Sequence, residues 1–291
     1  EMCIRDRTKV MQKLFFLLSI SLSAATLGAQ LKAPVASPRA KLSQNIGLVN
    51  ITVDYSRPSK KGRTIFGSLV PYNKIWRTGA NQATTFSVSD DIKINNQLVP
   101  KGEYHIYSVP REKRLDLIVY KKTDKWGSLK EFDESLIVAR VVSDFIELPF
   151  SVETFEISFD NISNNGSTLN LIWDNMLAIY YIDALTKDKM VNNIKNTLSK
   201  NPKPSDYQKA ALYYYEEGLD KEKAYEWINL AFESYKEPKY WQLRVKALVY
   251  NYYGKKREAL KIAKQGLKQA KKSDAPDGLN TLSLLVDRLS K

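Results

Sequence analysis

The sequence has almost none of the side chains that build metal sites and thiol chemistry. Its 291 residues include one histidine, His105, and one cysteine, Cys3. The usual zinc sites and Cys–His dyads need several such residues together. Because Cys3 precedes the predicted export signal, the mature chain should hold neither a thiol nor a disulfide. We therefore predict no metal and no other cofactor.

Other functional patterns are also missing. The glycines do not have the spacing of a phosphate-binding loop, and there is no calcium-loop pattern. A Ser-His-Asp triad would have to use His105, which we interpret instead as a hydrogen-bonded or solvent-facing strand residue. Beyond the first 29 residues, no apolar run reaches the roughly 20 residues that span a membrane. These absences favour a protein that is not an enzyme.

The N-terminal residues carry a predicted export signal. A basic start at Lys13 is followed by the apolar run 14–22 and by small residues up to Ala29, which is typical of a secretory signal peptide. The apolar run is too short for a comfortable membrane anchor. The predicted segments are a non-native extension (1–10), the signal peptide (11–29) and a linker (30–36). We expect an exported bacterial protein, periplasmic or extracellular.

Residues 37–183 have the periodicity of β-strands. Eight short segments alternate apolar and polar side chains between turn residues, as half-buried antiparallel strands do. Asn95-Asn96 and residues 164–166 are predicted turns, because Asn and Gly tolerate positive φ. The predicted strands are 48–55, 84–89, 103–109, 115–120, 136–142, 152–159, 167–173 and 177–182. We predict an antiparallel β-sandwich or jelly roll.

Residues 184–291 have a helical period instead. Their apolar residues recur at steps of three and four positions in six segments, which are 187–199, 205–218, 221–236, 238–253, 255–272 and 276–289. Landmark residues repeat at an offset of 35 (259 − 224 = 35): Ala224 and Ala259, Ala231 and Gly266, Tyr215 and Tyr250. The pattern resembles degenerate tetratricopeptide repeats, whose period is about 34 residues. We predict a helical repeat domain that binds a protein partner.

The segment 55–81, YSRPSKKGRTIFGSLVPYNKIWRTGAN, is the most unusual part of the chain. It mixes turn-forming residues with arginines and large apolar side chains, so we expect an ordered, partly buried loop. In a structural interpretation, Arg57, Arg63 and Arg77 pair with Asp54, Asp174 or backbone carbonyls. In a binding interpretation, the arginines line the main pocket of the domain and hold an anionic or sugar-like ligand. The candidate ligand site comprises Tyr55, Arg57, Arg63, Trp76, Arg77, Asn81 and Asp174.

Short motifs in and after this segment resemble the signature of one family. They are YSRP (55–58), GR (62–63), IFG (65–67), LVP (69–71), WRTGAN (76–81), PKGEY (100–104) and WD (173–174). Together they resemble a secreted bacterial family catalogued as domain of unknown function 2911, over residues 37–182. The resemblance implies an envelope β-domain, often followed by helical repeats, and no established activity. His105 departs from the small polar residue expected at its position.

Positive charge is concentrated in the helical part of the chain. Residues 185–291 contain 22 Lys and Arg against 13 Asp and Glu, a net of 22 − 13 = +9, and the whole chain carries +13. Arg257, Lys261, Lys264, Lys268 and Lys271 recur at helical spacing and form a predicted basic stripe. The stripe is either a solvated helix face or a binding surface for an acidic envelope polymer, an anionic lipid surface or an acidic partner. Export argues against nucleic acid.

These observations favour a non-catalytic binding or scaffold protein of the bacterial envelope. The β-domain would hold a small polar or glycan ligand, and the helical repeats would engage a protein. One alternative is a carboxylate-dependent hydrolase of envelope polysaccharide, which would need two converging carboxylates. In a third interpretation the β-domain is purely structural, and the repeats are the only working surface.

Overall fold

The structure is a computed structural model that describes residues 33–124 and 126–291. The predicted extension and signal peptide, and residues 30–32 of the predicted linker, lie outside the described residues. Strands come first along the chain, and helices follow. This order confirms the predicted β-then-α organisation. Of the described helices, none is both long and apolar enough to cross a bilayer.

The strands form two antiparallel sheets. One sheet has the order β1-β2-β3-β6-β7-β8, and the other has the order β5-β4-β10-β9. The strands are β1 (Arg39–Ile46), β2 (Val49–Ser56), β3 (Thr84–Val88), β4 (Ile92–Ile94), β5 (Gln97–Val99), β6 (Gly102–Pro110), β7 (Arg114–Lys121), β8 (Ile137–Asp144), β9 (Ile146–Asp160) and β10 (Gly166–Asp183). Sequence periodicity missed β1, β4 and β5. Asn95 and Asn96, at φ of +43° and +67°, make the predicted turn between β4 and β5.

Strand β10 turns back on itself halfway along its length. Its register with β9 shifts around Asp174, whose φ of +55° is a left-handed conformation found in turns. Gly166, at the start of β10, consequently lies against the end of the same strand. A Cβ atom on Gly166 would be 2.1 Å from the carbonyl oxygen of Ile182. The separately predicted strands 167–173 and 177–182 are the two halves of β10.

One hydrophobic core joins the two sheets. Phe86 and Ile51 contribute from the first sheet, and Phe155, Trp173 and Tyr180 contribute from the second. All five side chains are almost completely buried. A smaller core lies on the other face of β6 and β7, where the loop that leads to β8 covers it. Whether the two sheets form a sandwich or a jelly roll in the strict sense stays a prediction.

The start of segment 55–81 closes one side of this body. Residues 58–60 run beside β9, where Lys60 N donates to Glu153 O at 2.6 Å and Phe155 N donates to Pro58 O at 2.9 Å. These bonds satisfy an edge of β9 that would otherwise present unpaired backbone groups. The segment therefore leaves β2 in a fixed direction, along the end of the hydrophobic core.

Six helices follow the sheets: α1 (Thr186–Leu198), α2 (Pro204–Glu216), α3 (Lys221–Glu233), α4 (Tyr240–Tyr253), α5 (Lys256–Lys272) and α6 (Pro276–Ser290). Helices α2 and α3 pack together, as do α4 and α5. Ala224 in α3 and Ala259 in α5 are both fully buried, which agrees with equivalent places in successive helix pairs. Gly254 ends α4 at a φ of +108°, a conformation that favours glycine. The relation to tetratricopeptide repeats stays a prediction.

The β-domain and the helices contact each other directly. The side-chain amides of Asn164 and Asn165, in the turn before β10, donate to Glu216 and Glu217 at the end of α2. Lys189 Nζ lies 2.7 Å from a carboxylate oxygen of Asp90. Polar contacts thus tie the first two helices to the hairpin ends of the β-domain.

Candidate functional site

Trp76 anchors the segment 55–81 in the core. Its ring stacks on Trp173 with a centroid distance of 5.9 Å, and its Nε1 donates to Gly79 O at 2.9 Å. The backbone of Trp76 exchanges two hydrogen bonds with Ser108, at 2.7 and 2.8 Å. With these contacts fixed, the segment is ordered and partly buried, as the sequence predicts. Its next residues are held against β6.

A cavity of about 410 Å³ opens beside this anchor. Its apolar lining includes Leu69, Val70, Pro71, Ile75, Trp76 and Trp173. Its charged lining consists of Lys61, Arg63, Lys74 and Arg77, and no carboxylate is among the described residues that line it. We call this space the cationic cavity. An apolar wall with positive groups suits a ligand that has an apolar body and a negative charge.

Arg77 is the most buried of the four cations. Its Nη1 donates to Ser128 Oγ at a long 3.3 Å, while its Nε is buried and has no hydrogen-bond partner within the described part of the chain. A guanidinium carries five N–H donors, and leaving a buried one unpaired costs free energy. Arg77 Nε is therefore an unsatisfied, covered donor in a residue that lines the cavity.

The residue after Arg77 is held in a strained conformation. Thr78 has a φ of +52°, which is an outlier for a β-branched residue, and its side chain is fully buried. Its hydroxyl shares a hydrogen bond of 2.7 Å with Ser108 Oγ, and its carbonyl accepts from Thr84 Oγ1 at 2.5 Å. Such strain persists where surrounding contacts fix the backbone, and it concentrates at functional sites.

The other cations lie nearer the surface. Arg63 donates to the backbone carbonyls of Lys60 and Ser59 at 2.9 and 2.6 Å, so the loop itself holds its guanidinium. Lys61 and Lys74 are exposed at the rim. None of these three side chains forms an ion pair with a carboxylate in the described ranges. No nearby carboxylate of the described residues therefore neutralises their positive charge at the cavity.

The structure brings three predicted site residues to the cavity and leaves four outside its lining. Arg63, Trp76 and Arg77 line it, whereas Tyr55, Arg57, Asn81 and Asp174 do not. Arg57 instead bonds to β9, through Phe155 O at 3.0 Å and a Glu156 carboxylate oxygen at 3.1 Å. Asn81 is exposed and makes two long contacts of 3.4 Å, to Ser37 O and Ser56 Oγ.

Tyr55 is a core residue of the β-domain. Its hydroxyl accepts from Ile157 N at 2.9 Å and lies 3.4 Å from Ile157 O. Burial raises the pKa of the Tyr55 hydroxyl above its ordinary value, and the hydrogen bond from Ile157 only partly offsets this effect. The side chain thus joins β2 to β9 in its neutral form and is not a ligand group in this arrangement.

Asp174 belongs to the scaffold rather than to the cavity. Its Oδ1 accepts from Lys60 Nζ at 2.5 Å and from Ser151 Oγ at 2.7 Å. Burial tends to raise the pKa of this carboxyl, but the bonds from Lys60 and Ser151 prevail, and its pKa lies below the ordinary value. The predicted pairing of the loop arginines with Asp174 and Asp54 is therefore wrong, since Asp174 pairs with Lys60, and Asp54 pairs with Arg39 at 2.5 Å. The alternative of backbone carbonyl partners agrees with the bonds of Arg57 and Arg63.

The segment that contains most of the cavity lining matches one known family. Residues 37–181 match the family described as Protein of unknown function (DUF2911). Through this segment, the chain belongs to the DUF2911 family. The match confirms the predicted family, while the motif signature itself stays a prediction. No curated protein and no solved structure matches the chain.

Sequence reasoning missed part of the cavity of this DUF2911 segment. Lys61 and Lys74 lie between the predicted arginines, so a count of all cations in residues 55–81 would have found them. Trp173, which directly precedes Asp174, lines the cavity, whereas Asp174 does not. Of these two residues, Trp173 rather than Asp174 belonged in the predicted site. Nothing in the sequence indicated Ser128, which arrives from a distant loop.

The remaining chemistry-bearing residues lie away from the cavity lining. His105 is buried, and its Nε2 lies 3.0 Å from Thr123 O, in keeping with the hydrogen-bonded alternative. Among the described residues, no group of three His, Cys, Asp or Glu side chains is placed to hold a metal ion. The five residues of the basic stripe are all exposed on α5, and within the described ranges none forms an ion pair.

Proposed function

We propose that the DUF2911 segment is a non-catalytic domain that binds a small organic anion, within an exported protein of the bacterial envelope. The single observation that carries this proposal is the charge of the cavity: its four charged lining residues, Lys61, Arg63, Lys74 and Arg77, are all cationic. Such a concentration of one sign, enclosed by apolar walls, attracts anions and strengthens each charged contact.

The ligand class follows from the two kinds of lining. Arg77 and Arg63 offer planar sets of donors that suit a carboxylate or a phosphate. Leu69, Ile75 and Trp76 offer surface to an apolar body. The volume of about 410 Å³ falls within the range of small-molecule sites. A carboxylate or phosphate ester with a ring or short hydrocarbon fits both linings, and an acidic sugar would satisfy the same charge.

The helical domain has a separate proposed role as a protein-interaction surface. Helical repeats present extended surfaces for partners, and the basic stripe on α5 adds exposed charge that selects acidic ones. The hydrolase alternative has no support at the cationic cavity, because no carboxylate is among the described residues that line it. Asp174 is engaged by Lys60 and Ser151.

Calorimetric titration tests the anion site. We expect phenylacetate, octanoate or phenyl phosphate to bind, and phenylacetamide, the uncharged analogue of the first, to bind far more weakly. Arg77→Gln should weaken anion binding about tenfold to a hundredfold, since hydrogen bonds to charged groups contribute about 1.5–3 kcal/mol. Lys41→Gln is the matched control, because it removes an exposed charge on β1.

Two results would contradict the proposal. One is equal affinity for phenylacetate and phenylacetamide, which would mean that the cationic lining does not select charge. The other is the failure of all three anions to bind a folded protein at millimolar concentration. Added salt should weaken binding, because it screens partly exposed charges such as Lys61 and Lys74.

A further inference from the structure

A second concave site lies where the β-domain meets the first helix. This space of about 670 Å³ is bounded by the turn before β10, by both ends of β10 and by the start of α1. We call it the junction cleft. It exists because β10 turns back at Asp174, which brings Gly166 beside Ile182. Clefts at domain junctions are frequent ligand sites.

Two polar atoms of the junction cleft lack partners. Ser167 lines the cleft and is only 6% exposed, yet its Oγ has no hydrogen-bond partner in the part of the chain that is described. Asn165 Oδ1 is likewise buried and unpartnered there. The amide of Asn165 is oriented by its Nδ2, which donates to Glu217. Both atoms are covered in this arrangement, and a bound molecule with hydroxyl groups would satisfy them once the two side chains turn toward the cleft.

The charges of the junction cleft differ from those of the cationic cavity. Asp183, Lys187 and Asp188 are its charged lining residues, so the cleft carries one cation against two carboxylates. One carboxylate is partly used, since Asp183 Oδ1 accepts from Leu185 N at 2.8 Å. This lining does not favour an anion, and Lys187 offsets part of the attraction for a cation. A neutral ligand that donates hydrogen bonds fits best.

An aromatic ring adds a flat apolar surface to the cleft. Tyr181 lines it and is 67% exposed. The backbone of Tyr181 is fixed on both sides by Asn95, whose Oδ1 accepts from Tyr181 N at 2.8 Å and whose N donates to Tyr181 O at 2.9 Å. The ring therefore lies at the cleft on a backbone that is already held by hydrogen bonds. Aromatic faces pack well against the C–H face of a sugar ring.

From these observations, we propose that the junction cleft binds a small neutral saccharide. Ser167 and Asn165 contact its hydroxyl groups, Asp183 and Asp188 accept from others, and the ring of Tyr181 packs against its apolar face. This site is separate from the cationic cavity, and the inference does not depend on anion binding there.

Titration of the full chain with cellobiose, maltose and N,N′-diacetylchitobiose, followed by saturation-transfer NMR and calorimetry, tests the proposal. We expect at least one disaccharide to bind with a dissociation constant of about 1 mM or lower. Tyr181→Ala should weaken that binding at least about tenfold, whereas Tyr181→Phe should retain it. Trp241→Ala is the matched control, because Trp241 is an exposed ring on α4. Both tyrosine variants should fold, since the ring is largely exposed.

Three outcomes would overturn the inference. The first is that none of the three sugars binds the folded protein. The second is that Tyr181→Ala binds as tightly as the parent chain. The third is that Arg77→Gln abolishes sugar binding, which would assign the sugar to the cationic cavity. Because the anion titration uses other probes and another variant, failure of either proposal is recognised separately.

Discussion

The two domains differ in how many of their positively charged side chains form ion pairs. Among the described residues, seven ion pairs lie within the β-domain, one joins the domains, and one lies within the helical domain. The helical part nevertheless carries an excess of 22 − 13 = +9. In the described part of the β-domain, seven cations pair with carboxylates and four line the cationic cavity. In the helical domain, most remain in solvent.

The two domains therefore differ in how selectively their cations can bind a ligand. A cation such as Arg77, fixed between a strained Thr78 and a buried Trp76, can select the shape as well as the sign of a ligand. Exposed lysines on α5 are mobile and screened by salt, so they select mainly the sign.

The largest effect concerns the aromatic anchor of the β-domain. Trp76→Ala should lower the free energy of unfolding by about 3–5 kcal/mol, because it removes packing against Trp173 and Phe155. Trp241→Ala, on the helical domain, should change it by less than about 0.5 kcal/mol, since that ring is exposed. Urea denaturation measures both. Equal losses would show that the cavity wall is not part of the core.

The next effect concerns the ion pair between Lys60 and Asp174. Asp174→Asn keeps a residue that tolerates the left-handed backbone and should cost about 1.5–3 kcal/mol at pH 7. Since the pKa of Asp174 is lower in the folded state, its contribution is complete above the unfolded pKa of about 3.9 and is lost as the pH falls through the folded pKa.

Chemical denaturation of both proteins at pH 7 and at successively lower pH measures this linkage. The difference between the parent chain and Asp174→Asn should shrink as the medium becomes more acidic. Lys268→Gln, which removes a cation from the helical domain instead, should show no such dependence. A difference that stays constant down to pH 3 would mean that the ionised carboxylate does not stabilise the bend of β10.

A smaller effect is expected where the two regions meet. Asn165→Ala removes a side-chain bond to Glu217 and should lower the free energy of unfolding by about 1 kcal/mol. Hydrogen exchange should then become faster in α1 and α2, while the sheets keep their protection. Asn175→Ala is the control, because its bond to Glu147 stays inside the β-domain. Faster exchange throughout the sheets would contradict a local coupling of the domains.

The smallest effect on stability is expected for the basic stripe. Lys264→Gln combined with Lys268→Gln should change the free energy of unfolding by less than about 0.5 kcal/mol, since both side chains are exposed. Retention on immobilised poly-L-glutamate should nevertheless decrease, and salt should weaken it in the parent chain. Lys41→Gln, in the β-domain, controls for net charge. Unchanged retention of the double variant would leave the stripe as a solvated face.

Much of the architecture was predictable because it is encoded locally. The change from alternating to helical period near residue 183 predicted sheets and then six helices. Gly254 follows one of these helices and Pro276 begins another, at positions where these residues are favoured. Strand β1 was missed although Ala40, Leu42 and Ile46 lie at alternate positions, because its other residues are polar and only Ile46 is fully buried. Strands β4 and β5 were missed because three residues each are too few for a periodic signal.

The order of strands and helices, the DUF2911 match of residues 37–181 and the unusual composition of residues 55–81 can all be read along the chain. Those properties depend on neighbours along the chain. Only the tertiary structure decided that Lys60 rather than an arginine meets Asp174, 114 residues away, and that Lys61 and Lys74 join Arg63 and Arg77 around one cavity. Such pairings depend on how β9 and β10 bend, and that bend depends on packing between residues that are far apart in the sequence.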